Sequence, residues 1–400
     1  MRNFITNEGY LDVFTLGEPL ACVMHAYRRL PETLAVGTIT IFGAGPIGAL
    51  HALYARTLYP FSLVQIVEPD ERRRALISSK LPFISVHETP DGIRQSNLAI
   101  VATSAPEAQT DAIKTAADAA IVILFSGINH KTKDELPHYE EEDLEAIHRR
   151  EEVRVVSRNI RLIGSSGYHP REIDTSIAHL RANPDYYGIV QTGIVDGLDG
   201  RLINNLTTTE PAIVKLLSDG DFGQNYLKIL FRHDHNPVIE SRVVFEEGEV
   251  KLQNFTPEQP GSNQVRVRVL RSSICQTDRR VLRGLKSNSL RDGLIFGHEG
   301  VGVVLSVGQG VSEQLVGSVC SILPHYFAGE DPQVNMGMGY LSASIQHLGI
   351  HVNGCFTTSA ILPVSCIRQH IDTDYLPSMD MVGLNNGRSA HHVGIYGHVK

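Results

Sequence analysis

Thr38-Ile-Thr-Ile-Phe42-Gly43-Ala-Gly45-Pro46-Ile47-Gly48 is the stretch from which the rest of the chain is read. A short β-branched run feeds directly into a GxGxxG turn, and an apolar helical pattern follows, with Leu50, Leu53 and Tyr54 on one face. In that context Gly43 makes the tight turn and Gly45 lets backbone approach a pyrophosphate. Gly48 allows helix and strand to pack closely, and the helix N-terminus then faces phosphate charge. Pro46 and Ile47 complete the loop. Glu68 lies 20 residues beyond Gly48, at the end of the next β run, where an acid takes a ribose 2′-hydroxyl. The acid argues for NAD over NADP, because it repels a 2′-phosphate. Arg72, Arg73 and Arg74 follow closely and weaken that preference.

Outward from this stretch, β runs at 63–67, 98–102, 120–125 and 160–164 alternate with helix-like segments at 46–58, 71–80 and 105–117. Strands alternating with helices of this length predict βαβ units, hence an α/β fold with a Rossmann-type, doubly wound parallel sheet. Past Pro237 the pattern changes. Val265, Val267 and Val269 alternate with Arg266 and Arg268, a period-2 strand with one wet face, and Gly-rich β segments follow. The expected division is a nucleotide-binding domain over 1–237, a mostly antiparallel β domain over 238–384 and a loosely held tail over 385–400. The first 20 or so residues are expected to contribute to the cleft. The charge-dense stretch 134–152 reads as a solvated helix or insertion.

The 400 residues suit two or three domains. A formal charge of −8 gives no general attraction to nucleic acid or anionic membranes, so neither is expected as a partner. The longest apolar run, 119–125, is far short of the roughly 18 residues that span a bilayer. The opening MRNFITNEGYLDVF lacks the basic flank and apolar stretch of a signal peptide. Five cysteines without a CxxC pair point to a reducing, cytoplasmic setting.

A second chemical signal sits in the β half. Cys275-Gln-Thr277-Asp278 ends the alternating strand, and Gly297-His298-Glu299-Gly300 follows 23 residues after Cys275. Thiolate, imidazole and carboxylate together suit zinc, and three protein ligands leave a fourth position for a substrate oxygen. Singly, each residue reads more simply as core or structural. So do Cys22 and Cys366 as packed small hydrophobes, and His391, His392 and His398 as solvated tail residues. His25 shares roughly one helix face with Glu18, which makes it a candidate substrate contact.

ICQTD, GHEGVGVVLSVGQGV, LGEPLACVMHAYRR and ITIFGAGPIGALHALYA together resemble the zinc-dependent medium-chain dehydrogenase/reductase family, in its sorbitol, threonine and aminocyclitol dehydrogenase branch. Weaker echoes are LIGSSGYHPREIDTSIAHL and GCFTTSAILPVSCI. The resemblance implies a GroES-like β domain beside the nucleotide domain, and Cys275, His298 and Glu299 as zinc ligands. Glu18 would ligate directly or through the bound water. It further implies Thr277 passing the alcohol proton outward and Asp278 orienting His298. The implied reaction is hydride transfer between a polyol or amino-polyol and NAD(P), in either direction, by a homodimer or homotetramer. The reading from another class is a catalytically silent nucleotide-binding relic.

Three features depart from the family pattern. The nucleotide-binding segments precede the zinc-binding ones, as in a circular permutation, which requires Glu18 to reach a metal held by Cys275. Only Cys320 and Cys355 occupy the region of the family's four structural-zinc cysteines, so one catalytic zinc per chain and no structural zinc are expected. Arg279 or Arg280 stands where the family often has an outer relay histidine.

Overall fold

The computed structural model describes residues 7–125, 152–155, 159–165, 167–203, 206–219, 225–233, 237–284, 290–335, 339 and 342–370. The tail and residues 134–151 of the charged stretch lie outside them. Two helices lead: α1 (Asn7–Phe14) and α2 (Gly17–Arg28). The first sheet then builds from β1 (Thr38–Phe42), β2 (Leu63–Val67), β3 (Ser85–His87), β4 (Ser96–Val101), β5 (Ala116–Leu124), β6 (Glu152–Val155) and β7 (Ile160–Gly164). Its order is β3-β2-β1-β4-β5-β7-β6, parallel throughout except for β6 against β7. The crossovers carry α3 (Pro46–Leu58), α4 (Glu71–Lys80) and α5 (Pro106–Thr115). This is the doubly wound sheet expected from the alternation of strands and helices.

Local chemistry sets these boundaries. Pro46 opens α3 at a position where its missing N–H costs nothing. Asp70 caps α4 by accepting from the Arg73 N–H at 3.0 Å. The direction of winding reverses between β1 and β4, so a crevice opens beyond their carboxyl ends. Gly43–Gly48 occupies that crevice.

Helices α6 (Pro170–Ala182) and α7 (Pro184–Gly188) lead to the second sheet. It begins with β8 (Gln191–Asp196), well before Pro237. The ribbon β9 (Leu202–Ile203) and β10 (Leu206–Thr207), then α8 (Ala212–Ser218), separate β8 from β11 (Lys228–Arg232). A hairpin of β12 (Ser241–Glu246) and β13 (Glu249–Asn254) precedes β14 (Gln264–Ile274), α9 (Gln276–Leu282), β15 (Gly300–Val307) and β16 (Val319–Ile322). A ribbon of β17 (His325–Phe327) and β18 (Ile345–His347) stands apart. Then come β19 (Ser359–Pro363) and β20 (Ile367–Gln369). The sheet runs β20-β16-β15-β14-β11-β8, with β19 also on β14. Only the β8–β11 pair in it is parallel.

The N-terminal helices join the two sheets. One continuous core runs from Leu11 and Phe14 of α1 and Leu20 and Val23 of α2 through Ile39 and Ile41 to Leu270, Val301 and Val303 of the second sheet. Asp12 of α1 adds a charged tie. Its carboxylate accepts from Arg271 of β14 at 2.5 Å and from Arg232 of β11 at 2.6 Å. Among the described residues, no helix is long and apolar enough to cross a membrane.

Candidate metal and nucleotide site

Strand β14 delivers Cys275 at its end, where the residue also caps α9. The Cys275 Sγ accepts from the Thr277 N–H at 3.1 Å, and the Asp278 carboxylate accepts from the Cys275 N–H at 2.9 Å. This reciprocal cap fixes Cys275, Thr277 and Asp278 as one rigid unit. The segment entering β15 brings His298 and Glu299 alongside. His298 Nε2 lies 3.0 Å from the Cys275 Sγ. One donor atom each from Cys275, His298 and Glu299 falls within 4.8 Å of the others, in a mostly buried setting.

The donor chemistry fits a zinc ion. His298 turns Nε2 toward the thiol and Nδ1 toward Asp278, which is 1% exposed. The Nδ1 and the Asp278 carboxylate are 3.3 Å apart and form an ion pair when the imidazole is protonated. A carboxylate behind a ligating imidazole is the arrangement that fixes its tautomer and raises its basicity. Burial opposes charge on His298, yet Cys275 and Asp278 together hold its pKa well above the usual imidazole value. Burial also opposes charge on Asp278, but the His298 contact draws its pKa below the ordinary carboxylate value. The cluster thus concentrates charge that a cation would balance.

Glu18 comes from the first turn of α2. It lines one cavity with Glu299, Gly17, Thr15 and Ser321, and it feels the charge of the Glu299 carboxylate. Burial, then the nearby Glu299, raises the Glu18 pKa. Glu18 therefore faces the cluster across the cavity, outside the tight trio. Its Oε1 accepts from Cys22 at 3.2 Å, so Cys22, expected as a packed hydrophobe, also orients this carboxylate. His25 turns instead onto Glu172 of α6, at 3.0 Å. Arg279 donates to the Leu216 carbonyl on α8 at 2.9 Å, anchoring α9, while Arg280 is exposed.

Lys228 was not singled out by sequence reasoning. It is 3% exposed, forms an ion pair with the Glu299 Oε2, and Ser273 donates to the same oxygen at 2.6 Å. The signal was present as a lysine inside the apolar run Leu227–Phe231, but an alternating strand disguises it as a surface residue. Lys228→Met should destabilise the metal-free protein by about 3–5 kcal/mol by leaving a buried carboxylate unpaired. Zinc should restore more stability to this variant than to the parent, since a cation then serves Glu299. Urea unfolding with and without zinc measures both.

The nucleotide loop is equally specific. Gly43 has φ +103°, in the left-handed region that favours glycine. A Cβ on Gly48 would lie 1.9 Å from the Gly43 carbonyl oxygen, whereas one on Gly45 would meet only the tip of Arg73 at 3.9 Å. The space over Gly45 is thus a cradle suited to a pyrophosphate. Glu68 is buried beneath the loop, accepting from the Ala44 N–H at 2.8 Å and the Asp70 N–H at 3.1 Å. Arg74 is engaged with Glu88 and Arg72 with Asp70, which leaves Arg73 as the guanidinium reaching the loop. Gly48→Ala should cost about 1–3 kcal/mol or more by overpacking against backbone. Nucleotide binding should weaken at least about tenfold, which takes only about 1.4 kcal/mol. Fluorescence titration with NADH reads this directly.

Residues 261–370 match the alcohol dehydrogenase GroES-like domain family. An L-threonine 3-dehydrogenase of Saccharopolyspora erythraea is 31% identical over 139 residues, covering 34% of this chain and 40% of the relative. The starvation-sensing protein RspB of Escherichia coli is 30% identical over 104 residues, covering 26% of this chain and 30% of the relative. The chain thus spans well under half the length of these curated relatives. Among solved structures, a zinc-binding dehydrogenase from Sinorhizobium meliloti bound to NADP is 27% identical. It covers 33% of this chain and 39% of its own, with a TM-score of 0.31.

Proposed function

We propose that this chain, a member of the zinc-dependent medium-chain dehydrogenase/reductase family, is an alcohol dehydrogenase that moves hydride between a polyol or amino-polyol and a nicotinamide cofactor, NAD in preference to NADP. The observation that carries the reading is the convergence of Cys275, His298 and Glu299 in one buried cluster. When bound, zinc supplies Lewis acidity at an alcohol oxygen and the nicotinamide supplies a hydride acceptor.

The chain's own residues do the rest. Cys275, His298 and Glu299 would hold the ion, and Glu18 would complete the shell directly or through water. Asp278 keeps the His298 tautomer that leaves Nε2 free. Thr277, half-buried at the start of α9, takes the alcohol proton on its hydroxyl and passes its own outward. Gly43, Gly45, Pro46, Ile47 and Gly48 receive the pyrophosphate, Arg73 draws phosphate charge to the loop, and Glu68 fixes the ribose side. The segment order supports a circularly permuted arrangement, with the GroES-like part at 261–370 following the nucleotide sheet. We place the enzyme in the cytoplasm as a homo-oligomer.

The test is turnover by zinc-loaded protein over a panel of polyols, amino-polyols and threonine with NAD or NADP, followed by nicotinamide absorbance. Oxidation of a polyol or amino-polyol, faster with NAD, supports the reading. Nucleotide binding with no turnover in either direction, after zinc is taken up, moves the assignment to a silent relic.

A further inference from the structure

The wall of the cleft beside Glu18 carries two hydrogen-bonding side chains that the metal and nucleotide chemistry does not use. Tyr168 follows β7 at the carboxyl end of the parallel sheet, the edge where doubly wound folds take up their ligands. Its place is fixed, because the next residue, His169, caps α6 in a reciprocal box with Glu172. From the β17–β18 ribbon, His325 packs against it with ring centroids 5.7 Å apart. Leu323, two residues before His325, lines the cavity that holds Glu18 and Glu299. Tyr168 in turn feels the charge of Glu18. Both side chains are half-buried, and neither the Tyr168 hydroxyl nor the His325 ring makes a hydrogen bond among the described residues.

We infer that Tyr168 and His325 form a subsite for a second substrate hydroxyl, on the carbon next to the one that gives up hydride. The subsite rests on the dehydrogenase reading and narrows its substrate to a vicinal diol.

A phenol and a neutral imidazole each donate one hydrogen bond and accept another, which is the pairing a hydroxyl offers. Burial, then the charge of Glu18, raises the Tyr168 pKa, so the phenol keeps its proton. Burial lowers the His325 pKa, so this ring stays neutral near neutral pH. Neither group gives a carboxylate a cation, and Glu18, whose charge Tyr168 feels, is itself anionic. The wall therefore favours a neutral polyol over a hydroxy acid or an amino acid. It is also stiff, because His325 contacts the rings of Phe327 at 5.6 Å and His347 at 5.5 Å. A mono-alcohol would leave these fixed polar groups unpaired, and that costs affinity.

The experiment is calorimetric titration of zinc-loaded, NADH-bound protein with propylene glycol and with isopropanol, for the parent, Tyr168→Phe and His325→Phe. Both variants keep the ring contacts and remove the hydrogen bonds. The parent should bind the diol at least about tenfold more tightly than the mono-alcohol. Each variant should lose most of that advantage, while its isopropanol affinity stays near the parent's. A parent that does not prefer the diol, or variants that keep the preference, overturn the proposal. Turnover of the same two alcohols with NAD separates the subsite from the dehydrogenase reading. Turnover of both with equal efficiency keeps that reading and overturns the subsite. Tighter diol binding that the variants lose, without turnover of either alcohol, supports the subsite and overturns the reading.

Discussion

Cys275→Ala should abolish one zinc equivalent per chain and cut turnover by about three orders of magnitude or more, while NADH affinity stays near the parent's. The metal's Lewis acidity is asked for several kcal/mol of barrier lowering, and each roughly 1.4 kcal/mol is tenfold in rate. The thiol is the hinge of the cluster, because it contacts His298 Nε2 at 3.0 Å and caps α9. Cys275→Ser keeps an acceptor at the cap but replaces the soft ligand, so it separates the two roles. Serine should restore helix α9 and stability without restoring zinc. The nucleotide loop belongs to the other sheet, which is why its affinity should survive. If Cys275→Ala turns over like the parent, the site assignment fails.

Asp12→Ala should be the most destabilising single change away from the metal cluster, by about 3–5 kcal/mol, because it strands a buried guanidinium. Arg271 is 2% exposed and depends on Asp12 for its charge partner. Arg232 shares the carboxylate and is less buried, so it can turn to water. The consequence reaches function. Arg271 lies four residues before Cys275 on the same strand, and Asp12 lies six residues before Glu18. The ion pair thus ties α1, just ahead of the helix that carries Glu18, to the strand that leads into Cys275. Asp12→Asn should retain part of the hydrogen bonding, with stability between parent and alanine variant. Both should lower activity beyond what the unfolded fraction explains, measured as specific activity of the folded fraction. Parent-like stability in Asp12→Ala would show that Arg271 finds another partner.

Much of this architecture was legible in the chain. The β1 and α3 boundaries read from the sequence are the ones observed, because a parallel strand covered on both faces must be nearly all apolar. The glycine fingerprint was equally readable, since the constraint at Gly48 is a local clash between backbone and any Cβ. The start of the second sheet was less so. Gln191–Asp196 carries no alternation that distinguishes it from the preceding nucleotide unit, and its membership follows from pairing with β11. His25 shows the same limit. Helical spacing placed it near Glu18, but only the approach of α6 turned it onto Glu172.

The sequence by itself determined the doubly wound sheet, the glycine loop at Gly43–Gly48 and the thiol, imidazole and carboxylate that make up the candidate cluster. These depend on periodicity, on backbone sterics and on side-chain chemistry, all of which are local. Tertiary structure alone decided that Glu18 faces Glu299 across a cavity, that Lys228 holds Glu299, and that Asp12 joins α1 to β14. Those contacts unite residues separated by 71 to 281 positions, at distances that no spacing rule encodes. Burying a charge costs so much unless it is paired that the fold must supply each partner. The chain records the charges, and packing selects which of them meet.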